Sequence, residues 1–164
     1  MTITIRDATG RDLPAILAIY NDAVVNTTAI WNDAVVDLDN RKAWFEARLK
    51  LGYPVLVADE DGTALGYASF GDFRAFDGYR FTVENSIYVS GNARRRGAAS
   101  ALLAALIERA QALGKHVMVA GIASENEVSI RLHARHGFVE TARMAEVGTK
   151  FGRWLDLVFM QRKL

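Results

Sequence analysis

Arg94-Arg95-Arg96-Gly97-Ala98-Ala99-Ser100 is the segment of this 164-residue chain that most narrows the chemistry. Its three cations stand where a helix carrying Leu102, Leu103, Leu106, Ala110 and Leu113 opens. There they oppose the positive end of the helix dipole, at about 0.3–1 kcal/mol each. A bound polyanion would offset that cost. Small residues at positions 97–100 let a ligand reach the backbone, where free first-turn N–H groups can hold phosphate oxygens. The plain alternative is a solvated basic turn. The segment is neither a Walker loop nor a GxGxxG dinucleotide loop.

Two titratable side chains could move protons. Glu84 belongs to a stretch in which Glu84, Ser86 and Tyr88 share one strand face, while Phe81, Val83, Asn85, Ile87 and Val89 share the other. A carboxylate on such a strand can take the proton that an ammonium must lose before its nitrogen attacks a carbonyl. The alternative is a solvent-facing glutamate, or one paired with Arg80. His133 can give a proton to a leaving group, or be a helix histidine half-buried against a sheet. His116 and His136 read as structural or surface residues.

The elements that must position these groups follow from periodicity. Residues 2–6 alternate as a strand. A helix carries Leu13, Ile16, Leu17, Tyr20 and Val24, with Thr9 as a cap and Pro14 in its first turn. A second helix is expected over Leu38–Lys50, capped by Asp37 and ended by Gly52. Val55–Val57 and Leu65–Phe70 flank Asp61-Gly62 as a hairpin. Val117–Ile122 is apolar on both faces, the pattern of a central strand. A helix over Asn126–His136 closes at Gly137, and strands follow near Phe138–Ala142 and Trp154–Met160. The fold class is α/β (α+β), with a mostly antiparallel start and a βαβ unit in the second half.

Composition bounds the rest. A length of 164 residues with 51% apolar content suits one domain, residues 1–164. A net charge of +1 argues against a protein that coats nucleic acid, and the absence of cysteine excludes disulfides, thiolate metal sites and cysteine nucleophiles. No metal site is expected. No signal-peptide pattern opens the chain, and the apolar stretches fall short of the roughly 18 residues of a membrane span, so a cytoplasmic protein without membrane contact is expected.

Arg94, Gly97 and Ala99 match Q/R-x-x-G-x-G/A, and the pattern Asn126-x-x-Ser129-x-x-Leu132-His133-x-x-x-Gly137-Phe138 follows a buried strand. Together these resemble the GNAT acetyltransferase superfamily. The runs Leu17-Ala-Ile-Tyr-Asn-Asp-Ala-Val, Gly66-Tyr-Ala-Ser, Thr82-Val-Glu-Asn-Ser-Ile-Tyr-Val and Lys150-Phe-Gly-Arg-Trp-Leu-Asp resemble its phosphinothricin/methionine sulfoximine N-acetyltransferase branch over nearly the whole chain. The resemblance implies a mixed sheet of about seven strands with about four helices, acetyl-CoA as cofactor, an amino acid analogue as acceptor, and a homodimer. It implies Glu84 as base and His133 as the acid for the departing thiolate. It assigns cofactor contacts to Ile87, Tyr88 and Val89, to Arg94, Arg95, Arg96, Gly97, Ala98, Ala99 and Ser100, and to Asn126 and Ser129. Acceptor contacts would come from Arg74, Ala75 and Phe76, from Glu84, Asn85 and Ser86, and from Lys150 and Arg153. Many members have Gly where Arg95 stands, so Arg95 is expected to hold a backbone geometry that favours glycine. Other acceptors, a polyamine, an aminoglycoside or a protein N-terminus, remain alternatives, as does an arginine-run contact to nucleic acid.

Overall fold

A computed structural model describes residues 2–164. Strand β1, Thr4–Asp7, begins two residues later than the alternation suggests. A 3-10 turn at Gly10–Asp12 then leads into helix α1, Leu13–Asn26. Asp12 organises this entry: its carboxylate accepts from the Thr9 amide at 2.7 Å and from the Arg6 guanidinium at 2.8 and 2.9 Å. Helix α2, Leu38–Lys50, has the expected bounds; Asp37 Oδ1 accepts from the Asn40 amide at 2.9 Å, and Gly52 follows it at φ 72°.

Strands β2, Val55–Glu60, and β3, Thr63–Asp72, are joined by Asp61-Gly62, whose φ angles of 52° and 83° match the right-handed twist of a hairpin. Then come β4, Thr82–Val89, α3, Ala98–Ala112, β5, Val117–Ala123, and α4, Glu127–Arg135. The chain ends in a hairpin of β6, Val139–Lys150, and β7, Arg153–Lys163. All seven strands form one sheet in the order β1-β2-β3-β4-β5-β7-β6, antiparallel except where β4 meets β5.

Each face of the sheet has its own core. Leu102, Leu103 and Leu106 of α3 pack on Leu56, Phe70, Val83 and Met118 on one side. On the other, Ile16 and Ile19 of α1 and Phe45 of α2 pack on Val55, Val57 and Tyr67. Burying each such side chain contributes about 1.5–3 kcal/mol, which fixes both helix layers against the strands.

The final hairpin departs most from expectation. β6 runs to Lys150, eight residues beyond the stretch its pattern suggests, because it is an edge strand that is almost wholly exposed. Register shifts at Glu140/Ala142 and Met144/Gly148, with Glu146 at φ 53°, also break the period-two pattern that would have marked it. Trp31 packs against Gly148, where a Cβ would collide with the indole. Among the described residues, no helix is long and apolar enough to cross a membrane.

Candidate active site

β4 and β5 are parallel neighbours for three residues only, Thr82–Glu84 against Val117–Val119. Beyond Glu84, β4 stays paired to β3 as far as Val89, and β5 stays paired to β7 as far as Ala123, so a gap opens between them. Strand alternation decides what lines it. The Phe81 oxygen faces β5, accepting from His116 N at 2.8 Å, whereas the Thr82 oxygen faces β3, accepting from Phe73 N at 3.3 Å. Main-chain groups of Ile87 and Val89 are therefore turned to the gap. Those of Tyr88 are spent in the ladder with β3, which leaves Ile87 and Val89 as the two members of this trio whose main chain is turned to the gap.

The loop 90–97 carries the chain from the end of β4, where the two strands have parted, into helix α3. The arginines precede the helix instead of forming its first turn: Gly97 is the residue before it, at φ 84°, and Arg95 is left-handed at φ 61°. Arg95 thus holds the geometry expected of it, against the preference of a residue with a Cβ. The first helical bond is Ala101 N to Gly97 O at 3.0 Å, which leaves the amides of Ala98, Ala99 and Ser100 without intrahelical acceptors. Such a run of main-chain donors suits phosphate oxygens, the chemistry acetyl-CoA would present. Arg94 and Arg95 are exposed, while Arg96 is ion-paired with Glu60 at the end of β2. Glu60 thus balances one of the three cations from a distance the sequence does not reveal. Ser100 Oγ lies 2.8 Å from His136 Nε2, so His136, read from the sequence as a structural or surface residue, stands beside the first turn of α3.

Glu84 is half-buried on the α1/α2 face of the sheet. Burial pushes its carboxyl above the ordinary glutamate value, and the positive charge of Arg74 partly opposes the rise. Arg80 is not its partner; that guanidinium donates to the Asp77 main-chain oxygen and stacks on Phe81. Gly121, exposed on β5, leaves room for the carboxylate: a Cβ at Gly121 would lie 3.0 Å from Glu84 Oε1. Arg74 is exposed in the loop after β3, stacked 5.1 Å over Phe73, with Ala75 and Phe76 exposed beside it.

His133 is 3% exposed. Nδ1 lies 2.8 Å from the Ser129 main-chain oxygen, and Nε2 lies 3.3 Å from the Asn85 side chain. Burial drives its titration below the ordinary histidine value, against the effect of the Ser129 hydrogen bond. The side chain of Asn85 thus meets α4, across the sheet from Glu84, where an acceptor contact was expected of it. Asn126 Oδ1 accepts from Ser129 N at 3.1 Å, so capping α4 occupies that oxygen.

Lys150 is the clearest correction. Expected at the acceptor, it is 3% exposed, and its ammonium donates to the main-chain oxygens of Val24, Thr27 and Ile30, the last two at 2.8 and 2.6 Å. It closes the C-terminal end of α1 instead. Arg153 is held by Glu125 at 3.0 and 3.1 Å. No local pattern announces either arrangement, since the partners lie 28 to 126 residues away.

A gap between splayed parallel strands, a run of free amides at the start of α3 and a half-buried carboxylate beside Gly121 agree with what the chain resembles. The acetyltransferase (GNAT) domain family matches residues 5–159. The chain is 59% identical to an L-methionine sulfoximine/L-methionine sulfone acetyltransferase of Salmonella typhimurium over 162 residues, covering 99% of this chain and 95% of that protein. It superimposes with a TM-score of 0.98 and 58% identity on a Salmonella typhimurium structure described as a putative acetyltransferase with its cofactor acetyl-CoA, covering 100% of this chain and 95% of that one. It superimposes with a TM-score of 0.97 and 55% identity on a Brucella melitensis structure described as a ribosomal-protein-alanine N-acetyltransferase, covering 98% and 99%. By fold, site and sequence, the chain belongs to the GNAT acetyltransferase family.

Proposed function

We propose that this protein uses acetyl-CoA to acetylate the α-amino group of a small amino acid analogue: methionine sulfoximine, methionine sulfone, phosphinothricin or a related methionine derivative. The observation that carries the reading is the opening of β4 from β5 directly past a half-buried Glu84. In this reading the amides of Ala98, Ala99 and Ser100, with Arg94, Arg95 and Arg96 around Gly97, hold the pyrophosphate. The Ile87 and Val89 amides meet the charge that develops on the carbonyl oxygen, in a gap where preorganised donors need no reorientation. Acetyl-CoA supplies the activated acetyl thioester. Glu84 takes a proton from the acceptor ammonium, directly or through water, and burial makes its carboxylate a stronger base than an exposed glutamate. Arg74 grips the acceptor carboxylate with its planar fork, beside Ala75, Phe76 and Ser86. His133 handles a proton on the far side of the gap. Attack is direct, with no acyl-enzyme.

The relative's name supports the acceptor class, and the name of the Brucella structure supports a second reading, a protein N-terminus. A homodimer is part of the proposal, supported by the exposed Val139, Met144, Val147 and Trp154 along the β6–β7 hairpin, as is a cytoplasmic location. The test is CoA release from acetyl-CoA with methionine sulfoximine, methionine sulfone, phosphinothricin, methionine, spermidine and a short alanine-first peptide. Turnover confined to the first three is expected. Turnover with the peptide alone would move the acceptor assignment to protein N-termini, and turnover with spermidine alone would discard the role of Arg74.

A further inference from the structure

A histidine donates only through a nitrogen that carries hydrogen, and the contacts of His133 decide which one does. The Ser129 main-chain oxygen can only accept, so Nδ1, 2.8 Å away, is the protonated nitrogen. Nε2 lies 3.3 Å from Asn85 Oδ1. That second contact sets two acceptors against each other unless His133 is a buried imidazolium, and it leaves Asn85 Nδ2 buried without an acceptor. Turning the Asn85 amide over exchanges its two ends within the same volume, and hydrogen-bond chemistry makes that choice. The NH2 group then donates to the Nε2 lone pair and His133 is neutral. The atom left unpaired becomes a carbonyl oxygen, the milder defect.

The surroundings point the same way. Facing the ring are Asn85 from β4, Ser129 and His136 from α4 and its end, and the Phe138 ring, edge-on at 5.0 Å, from the turn into β6. His136 is the titratable member of that set, and its charge, like burial, opposes protonation of His133. No carboxylate is among the groups that shift His133. Glu84 lies on the opposite strand face from Asn85.

We propose that Asn85 is a positioning residue: it donates to Nε2 of His133, holds the ring as the Nδ1–H tautomer, and makes His133 a proton acceptor at rest. His133 becomes a donor only after taking up a proton within the site. This rests on the reading of His133 as a reacting group. The balance closes: an ammonium sheds two protons on becoming an amide, the sulfur of CoA keeps one and solvent receives the other. A His133 that starts neutral passes on only what it has received.

Nitrogen NMR of the 15N-labelled full-length protein, with His133→Gln to identify the signals, reads the tautomer directly. The expected result is Nδ1–H, with titration below the ordinary histidine range. In Asn85→Asp a carboxylate faces Nε2 and should raise the His133 titration by about one pH unit or more, roughly tenfold in proton affinity. The histidine limb of the pH profile of kcat should move with it, while KM for acetyl-CoA stays unchanged. Asn85→Ser, a smaller change, should lower kcat severalfold and relax the tautomer, and it serves if the aspartate variant folds poorly. An Nε2–H tautomer in the parent protein, or a His133 indifferent to both substitutions, overturns the proposal. If the tautomer is as expected but His133→Gln keeps full kcat, His133 leaves the reaction and the catalytic part of the proposal falls, while the hold of Asn85 on the ring stands.

Discussion

Replacing Lys150 by methionine keeps the length of the side chain and removes the ammonium that joins three main-chain oxygens, those of Val24, Thr27 and Ile30. Hydrogen bonds from a charged donor contribute about 1.5–3 kcal/mol each, so the cluster could be worth several kcal/mol. Withdrawing the ammonium from water cancels part of that, and its titration is already pushed below the ordinary lysine value by burial. Three main-chain oxygens, two of them in buried contacts, then lose their donor, and the net loss should be about 3 kcal/mol. For a chain of 164 residues this lowers Tm by about 6–12 °C. Arginine should not rescue it, because a planar fork cannot replace a compact donor aimed at three oxygens. The assay is thermal and urea unfolding of both variants, with acceptor KM measured well below the transition. A normal Tm with a raised acceptor KM would refute the argument and return Lys150 to the acceptor site.

Glu84→Gln should lower kcat by about 10²–10⁴-fold while acetyl-CoA still binds, and the acid limb of the pH profile should vanish; unchanged kinetics would remove Glu84 as base. In the parent protein that limb should lie above the ordinary glutamate value of 4.5, because burial raises the carboxyl. Gly121→Ala places a methyl group 3.0 Å from Glu84 Oε1, so the carboxylate must move by a few tenths of an ångström. Activity should fall about tenfold at unchanged Tm, and full activity would show the carboxylate has slack. His133 and His136 both titrate below 6.5 in the folded chain, so the unfolded chain binds more protons. Urea midpoints should therefore hold above pH 6.5 and fall as pH drops below it, and His133→Gln should flatten that slope.

Local chemistry was legible wherever one stretch of chain determines its own shape. The bounds of α2 and its Asp37 cap, the Asp61-Gly62 turn and the all-apolar β5 follow from neighbours a few residues apart. So did the free amides after Gly97, while the left-handed Arg95 followed from the glycine that many family members carry there. What escaped was decided at long range. β6 owes its length to pairing with β7, not to its own pattern. Lys150 and Arg96 look like free cations until Val24, Thr27, Ile30 and Glu60 are brought to them by the fold. The family resemblance assigned His133 and Asn85 to one site, but not the direction of the hydrogen bond between them, which depends on which atoms end up buried together.

The three-residue ladder between β4 and β5 also bears on how the molecule comes apart. Among the described residues it is the shortest run of pairing between neighbouring strands, so the sheet parts most readily at this seam into β1–β4 and β5–β7–β6, and an amide of that ladder such as Val117, which donates to the Phe81 oxygen, should exchange before those inside either half. A cofactor seated in that seam would act as mortar between the halves. Binding to the folded chain alone stabilises it by RT ln(1 + [L]/Kd), so at a concentration about 100 times Kd the chain should gain about 2.7 kcal/mol, with slowed exchange concentrated along those edges.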